Sequence, residues 1–331
     1  MKALQITQYG VISESLAIKT IAKPSLQNKD VLIAVKAASL NPIDYKIVGG
    51  YLKEMIALDL PATIAYDVSG VIVEKGREVD SFEIGDEVYA RLPQEQMGTV
   101  AEFVAVNSEV IALKPSNLSF EEASALPLAG LTAIQALERV GIKKDDRVLI
   151  HAGSGGVGSF AIQYAKHKGA IVYTTTSTKN VDWVKALGAD RVIDYKKENY
   201  KEVANKLDIV FDTLGGDYTL DAFEIIKEGG KVSSIAGSAP DEETAQMMGM
   251  KDYQLPEHLA ALIQKKSAVY KLTWMQPNGE QLQLIKSLVE AGTIKPVIDL
   301  IYPFEKGVEA YEHLATGHAQ GKVIISFSAH S

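Results

Sequence analysis

Residues 148–170 read VLIHAGSGGVGSFAIQYAKHKGA. Apolar Val148-Leu149-Ile150 form a strand, a cluster of glycines follows, and Phe160, Ile162, Tyr164 and Ala165 carry a helix away from it. Gly153, Gly155 and Gly158 fit the spacing G-x-G-x-x-G between strand and helix. Glycine at those places lets the chain turn sharply, lets its backbone approach a pyrophosphate, and lets strand and helix pack closely; the helix N-terminus then faces the phosphates. A lone glycine triplet can be a turn with no ligand. Inside a strand–helix series it reads as a dinucleotide site, with Gly153, Gly155, Gly156, Val157 and Gly158 forming the binding turn.

The series is present on both sides of the turn. From about residue 121 the chain alternates: helix 121–141, strand 147–152, helix 159–168, strand 171–175, helix 181–187, strand 191–194, helix 200–206, strand 207–212 and strand 231–236. Such alternation builds a doubly wound parallel sheet. Residues 1–115 have another texture. Short β segments (31–37, 68–74, 87–90, 101–106) are punctuated by Pro42, Gly49-Gly50, Pro61, Gly76, Gly85 and Pro93, which suits an antiparallel or barrel-like domain. After about 277, a helix (279–291) and a last strand (322–327) are expected to return to the first domain. The expected division is a substrate domain in 1–120, a cofactor domain in 121–265, and an edge strand with the return in 266–331.

Composition excludes several classes. The chain has 331 residues, enough for two cores. Its formal charge is −8 with no basic block, which argues against nucleic acid or an anionic membrane as partner. No apolar run reaches the roughly 20 residues of a membrane span. With no cysteine there are no disulfides and no thiolate chemistry. No apolar signal core follows Met1-Lys2, so the expectation is a soluble, cytoplasmic protein.

The choice of dinucleotide is read at the end of the next strand. A site for NAD usually carries an acid about 20 residues on, bound to the ribose 2′-hydroxyl. Here residues 174–180 read TTTSTKN, and the first acid after the strand is Asp182, already on the next helix. Hydroxyls of Thr176 and Ser177 and the cation of Lys179 suit a 2′-phosphate, so NADP(H) is the expected cofactor. A polar loop that only solvates itself is the alternative.

The order of several further segments carries a resemblance. They are MKALQITQYG (1–10), VKAASLNPIDYKIVGG (35–50), AYDVSGVIVEKG (65–76), FEIGDEVYA (82–90), GTVAEFVAV (98–106), LPLAGLTAIQAL (126–137), HAGSGGVG (151–158), LGADRVIDY (187–195), VFDTLGG (210–216) and GKVIIS (321–326). The chain thus resembles the zinc-free quinone oxidoreductase branch of the medium-chain dehydrogenase/reductase superfamily, which includes the enone and alkenal reductases. That resemblance implies a GroES-like β-barrel domain on the substrate side, a Rossmann domain, and a cleft between them. It places Thr132 near the nicotinamide and Tyr195 near the adenosine 2′-phosphate. DTLGG (212–216) and SSIAG (233–237) end strands at the carboxyl edge, where cofactors sit.

Zinc-dependent relatives resemble this chain in layout but carry zinc ligands in segments that here read Ala38-Ser39-Leu40-Asn41-Pro42 and Ala65-Tyr66-Asp67. The six histidines (His151, His167, His258, His313, His318, His330) show no pair at ligand spacing joined to a third donor. No metal is expected. Without a Lewis acid an alkoxide is poorly stabilised, whereas a quinone or the β-carbon of an enone accepts hydride with less help. What remains for the protein is a donor to the developing oxyanion. NPIDYK (41–46) offers Asn41, Tyr45 and Lys46. Tyr45 can equally be core packing and Lys46 a solvated lysine; the resemblance favours a role for both, Lys46 above all. Asp44 and Asp67 are expected to serve structure or orient neighbours.

Residues 238–265 show no compact pattern and leave the substrate open. VYKLTWMQ (269–276) reads as an edge strand, which the resemblance pairs across a twofold axis in a homodimer. The expected partner is a small quinone or enone. The alternatives are an acyl-thioester enoyl reductase or another zinc-independent dehydrogenase, and a non-catalytic NADPH-binding scaffold or redox sensor.

Overall fold

The computed structural model describes residues 1–237 and 239–327. Ser238, at the start of the patternless stretch, and His330 lie outside the described residues. The strands of the first stretch are β1 (Lys2–Ile6), β2 (Leu16–Thr20), β3 (Asp30–Leu40), β4 (Ala62–Thr63), β5 (Asp67–Lys75), β6 (Glu87–Arg91), β7 (Phe103–Asn107) and β8 (Ile111–Leu113). Then come β9 (Arg147–Ile150), β10 (Ile171–Thr176), β11 (Arg191–Asp194), β12 (Leu207–Asp212), β13 (Ile226–Ser234) and β14 (Val269–Leu272). The last two are β15 (Ile298–Pro303) and β16 (Lys322–Ser326). The chain forms two compact units: Met1–Leu131 together with the chain from Gln276 onward, and Thr132–Met275.

In the first unit β15-β16-β3-β5-β6-β8 form one sheet, with β7 also paired to β3, and β2-β1-β4 a second. All its pairs are antiparallel except β15–β16. The eleven residues of β3 are nearly all buried, as befits a central strand with partners on both sides. Leu4, Ile6, Leu40, Val323, Ile325 and Tyr311 share one core, and Ile33, Val68, Ile72, Val88 and Tyr66 another.

Within this β-rich stretch lies a helix, Pro42–Val48, that the turn residues alone had not announced. The signal is local. Pro42 sits in the first turn, where its missing N–H costs nothing, and the Asn41 N–H donates to Asp44 Oδ2 at 2.7 Å. The helix expected over 121–141 is in fact two, Phe120–Ser124 and Pro127–Arg139. Pro127 cannot donate back into a preceding turn, so it starts a helix rather than continuing one.

The second unit is a six-stranded sheet in the order β11-β10-β9-β12-β13-β14, parallel throughout. Numbered from β9 this is 3-2-1-4-5-6, the doubly wound order, which reverses direction at β9. Val148, Leu149, Ile193, Ile209, Val210 and Val232 are buried in it. β14 is the edge strand expected for the segment from 269. The patternless stretch contains two helices, Glu242–Met247 and Glu257–Lys266. The first is anchored by Arg139, which donates to Asp241 at 3.0 Å and to Glu243 at 2.9 Å. Among the described residues no helix is long and apolar enough to cross a membrane.

Candidate functional site

The glycine turn follows β9, at the strand where the sheet order reverses, and is held by its neighbours. His151 N–H donates to Phe211 O at 3.1 Å, Ala152 N–H to Thr175 Oγ1 at 3.1 Å, and Gly153 N–H to Thr175 O at 2.9 Å. A Cβ on Gly158 would lie 2.2 Å from Ala152 O, and one on Gly153 would lie 2.2 Å from Thr174 Oγ1. Both glycines are therefore needed for strand and helix to pack. Gly155 differs: its φ of −84° suits any residue, and an added Cβ would meet only Ala152 O, at 3.5 Å. The helix Gly156–His167 starts there with no side-chain cap and no acid in its first turn, and the backbone donors of Gly156, Val157 and Gly158 stand at its N-terminus. An uncapped helix end behind a close-packed glycine turn fits a dinucleotide pyrophosphate.

These contacts separate two roles by measurement. Gly158→Ala is expected to cost about 1–3 kcal/mol of stability through overpacking and to weaken NADPH as well. Gly155→Ala is expected to leave the melting temperature unchanged while weakening NADPH, because its methyl enters only the space over the turn. Thermal melts with and without NADPH distinguish the two. A Gly155→Ala chain stabilised by NADPH as much as wild type would remove the pyrophosphate from this turn.

Thr176 ends β10, and its Oγ1 is buried with no hydrogen-bond partner among the described residues. Ser177 Oγ accepts from Asn180 Nδ2 at 3.2 Å, and Lys179 is exposed with no ion pair among the described residues. Tyr195 N–H donates to Thr176 O at 3.1 Å, and its side chain is exposed. The loop does have an acid beside it: Asp194, across from Thr176 on β11. Its Oδ1 accepts from Lys196 N–H at 3.1 Å, while its Oδ2 has the Lys197 ammonium at 3.5 Å and no hydrogen-bond partner among the described residues. Thr132 is buried in the helix Pro127–Arg139. An unpartnered hydroxyl, a second hydroxyl and an uncommitted cation fit the 2′-phosphate of NADP(H).

In the first unit the candidates for the reacting end have separate fates. Asn41 is 2 % exposed and fully engaged: Nδ2 donates to Asp67 Oδ2 at 2.9 Å, and Oδ1 accepts from Lys322 Nζ. Lys322 also reaches Asp67 Oδ2 at 3.2 Å, and Asp67 Oδ1 accepts from Leu128 N–H at 2.8 Å. Burial pushes the Asp67 carboxyl up and the Lys322 ammonium down; each opposes the shift of the other. Burial also pushes Asp44 up, to about 7, against its bond from Asn41. Arg91, buried with its guanidinium 4.6 Å from the Tyr66 ring, completes the group. Tyr45 is half-buried against the Leu4–Ile6 core, and Lys46 is exposed on the same helix. Lys322 and Arg91 were missed in the sequence. The available signal was a lysine opening an apolar strand, GKVIIS, which has to pair if that strand is central.

Two family descriptions match the chain: "Alcohol dehydrogenase GroES-like domain" over residues 27–116 and "Zinc-binding dehydrogenase" over 187–325. A 2-methylene-furan-3-one reductase of Solanum lycopersicum is 37% identical over 98% of this chain and 79% of its own length. The chain belongs to the medium-chain dehydrogenase/reductase superfamily. Within this superfamily it is also 36% identical to an NADPH-dependent alkenal/one oxidoreductase of Arabidopsis thaliana, over 98% of this chain and 79% of that one. The solved quinone oxidoreductase of Coxiella burnetii superposes with a TM-score of 0.86 at 35% identity, covering 99% of both chains.

Zinc, named in one of those descriptions, does not fit the residues present. Among the described residues no group of three or more His, Asp or Glu side chains could hold a metal ion, and the chain has no cysteine. In the two segments where the resemblance puts the ligands of zinc-dependent relatives, 38–42 and 65–67, the Asn41 Oδ1 and Asp67 Oδ2 oxygens are taken by the Lys322 ammonium. A second cation there would be repelled. His151 is buried against the rings of Tyr200 and Tyr218, and His313 is 2.7 Å from Asp299.

Proposed function

We propose that this protein is an NADPH-dependent oxidoreductase that reduces quinones or the C=C bond of α,β-unsaturated carbonyls without zinc. The observation that carries this reading is similarity over 98% of the chain to two relatives named for enone and alkenal reduction. When bound, NADPH supplies the hydride. Residues 153–158 receive the pyrophosphate on backbone N–H groups. Thr176, Ser177 and Lys179 take the 2′-phosphate, Tyr195 flanks it, and Thr132 contacts the nicotinamide. Lys46 donates to the acceptor oxygen as negative charge builds there, and Tyr45 supplies a proton to the reduced product. Asn41 is committed to Asp67 and Lys322, so its part is to hold the start of this helix. The free edge of β14 supports pairing with a second copy as a homodimer.

The test is the change at 340 nm: oxidation of NADPH with a panel of quinones, enones, alkenals and enoyl thioesters, and reduction of NADP+ with alcohols. Enones or quinones should be turned over and alcohols should not. Turnover of enoyl thioesters alone would assign an acyl-thioester reductase, and cofactor binding with no turnover a scaffold. In the same assay Lys179→Ala should raise the KM for NADPH about tenfold, through loss of a charge-assisted contact, and leave NADH unchanged. Equal use of both cofactors by the wild type would refute the assignment of the 176–179 loop.

A further inference from the structure

Asp212 ends β12 and is completely buried, yet its carboxylate meets four donors. Oδ1 accepts from the N–H groups of Leu214 and Gly215, both at 2.9 Å. Oδ2 accepts from the hydroxyls of Thr219 and of Ser234, the latter at 2.8 Å. Ser234 ends β13, and its Oγ in turn accepts from the N–H groups of Ala236, at 3.2 Å, and Gly237, at 2.8 Å. One carboxylate thus fixes the turn after β12 directly and the turn after β13 through a single hydroxyl. The two turns also touch. Gly215 has φ +75°, and a Cβ on it would lie 2.2 Å from Ala236 O. Thr213, which follows Asp212, donates through Oγ1 to His151 O at 2.9 Å and so ties this pair of turns to the glycine turn after β9.

β9, β12 and β13 are neighbours in the sheet, so the three turns form a continuous row at its carboxyl edge. We propose that Asp212 is a positioning residue for NADP(H), holding these three turns as one preformed rim against which the cofactor lies. The proposal rests on the reading that the cofactor occupies this edge. Four donors converging on one place need an anion with two oxygens, and a neutral side chain of that length has one acceptor only. A preformed rim matters because loops that must be ordered on binding subtract from affinity.

The experiment has two parts. In wild type, NADPH should slow amide exchange at 152–158, 213–216 and 235–237. Failure to protect these segments would show that the cofactor is not at this edge, whatever Asp212 does. In Asp212→Ala, the dissociation constant for NADPH, measured by fluorescence titration of the folded fraction, should rise at least tenfold, with faster exchange at 213–216 and 235–237. Asp212→Asn should fall between wild type and Asp212→Ala: its oxygen still serves the backbone donors of Leu214 and Gly215, but its amide faces the Ser234 hydroxyl, whose two lone pairs already accept from Ala236 and Gly237. A residue that only stabilised the fold would lower the melting temperature and leave the affinity of the folded fraction untouched. Protection in wild type together with unchanged NADPH affinity in Asp212→Ala would overturn the proposal. If Asp212→Ala does not fold, Ser234→Ala cuts only the second link. It should loosen 235–237 and weaken NADPH, and wild-type affinity there would overturn the proposal equally.

Discussion

Lys46→Ala should lower kcat for an enone by about 10²–10³-fold, the usual loss when one donor to a developing oxyanion is removed. Hydride arriving at the β-carbon puts negative charge on the carbonyl oxygen, and an ammonium there gains strength as that charge grows. Lys46 is exposed on the helix Pro42–Val48 and forms no ion pair among the described residues, so its removal leaves none of their buried groups unpaired. The dissociation constant for NADPH should therefore stay as it was. A strongly electrophilic quinone needs less help, and its kcat should fall less. Tyr45→Phe should have a smaller effect, visible where proton delivery limits turnover. If both variants keep wild-type kcat on the best acceptor, the segment only shapes the place where the acceptor binds.

Acidification should stabilise the wild-type chain relative to Asp44→Asn. Asp44 has a pKa of about 7 in the fold against 3.8 in an unstructured chain, chiefly because of burial. The Asn41 N–H, Lys322 and Arg91 pull it down, Asp67 pushes it up, and Tyr66 and Tyr311 lie within its field. The native state thus holds a proton that the unfolded state releases. This contribution is complete below about pH 4 and is lost as pH rises through about 7, amounting to roughly 4 kcal/mol between the limits. Asparagine keeps the shape, its oxygen can still accept from Asn41 N–H, and it does not titrate. Denaturant midpoints of the two proteins between pH 5 and 8 should diverge, with the wild type losing ground toward pH 8. Parallel curves over that range would mean that Asp44 is already charged at pH 5.

The sequence made these two predictions unequally visible. The glycine turn is legible because its constraints are local: Gly158 meets Ala152 in the same turn, and Gly153 meets Thr174 on the strand that follows the helix. The β–α series and the edge strand at 269 follow for the same reason, since each is set by a short run of side chains. Helix Pro42–Val48 was legible in principle, through Asn41, Pro42 and Asp44, but short β runs on either side outweighed three residues. The ionic group was not legible. Lys322 meets Asn41 and Asp67 across separations of 281 and 255 residues, and no local pattern marks such a pairing. Asp212 lies between: DTLGG announces a turn, but that Ser234 shares its carboxylate depends on β12 and β13 being neighbours.

The interrupted first unit imposes an order of assembly on the ribosome. Everything the second unit needs has been made once residue 275 has emerged, so its sheet can close while synthesis continues. The first unit has to wait. Its central strand β3 lacks the partner β16 until residues 322–326 are added, and until then Asn41 and Asp67 have no ammonium to meet. A nascent chain halted shortly before residue 322 should therefore present a finished nucleotide-binding fold beside an open sheet edge on β3, the state most exposed to capture by a chaperone or by another nascent chain.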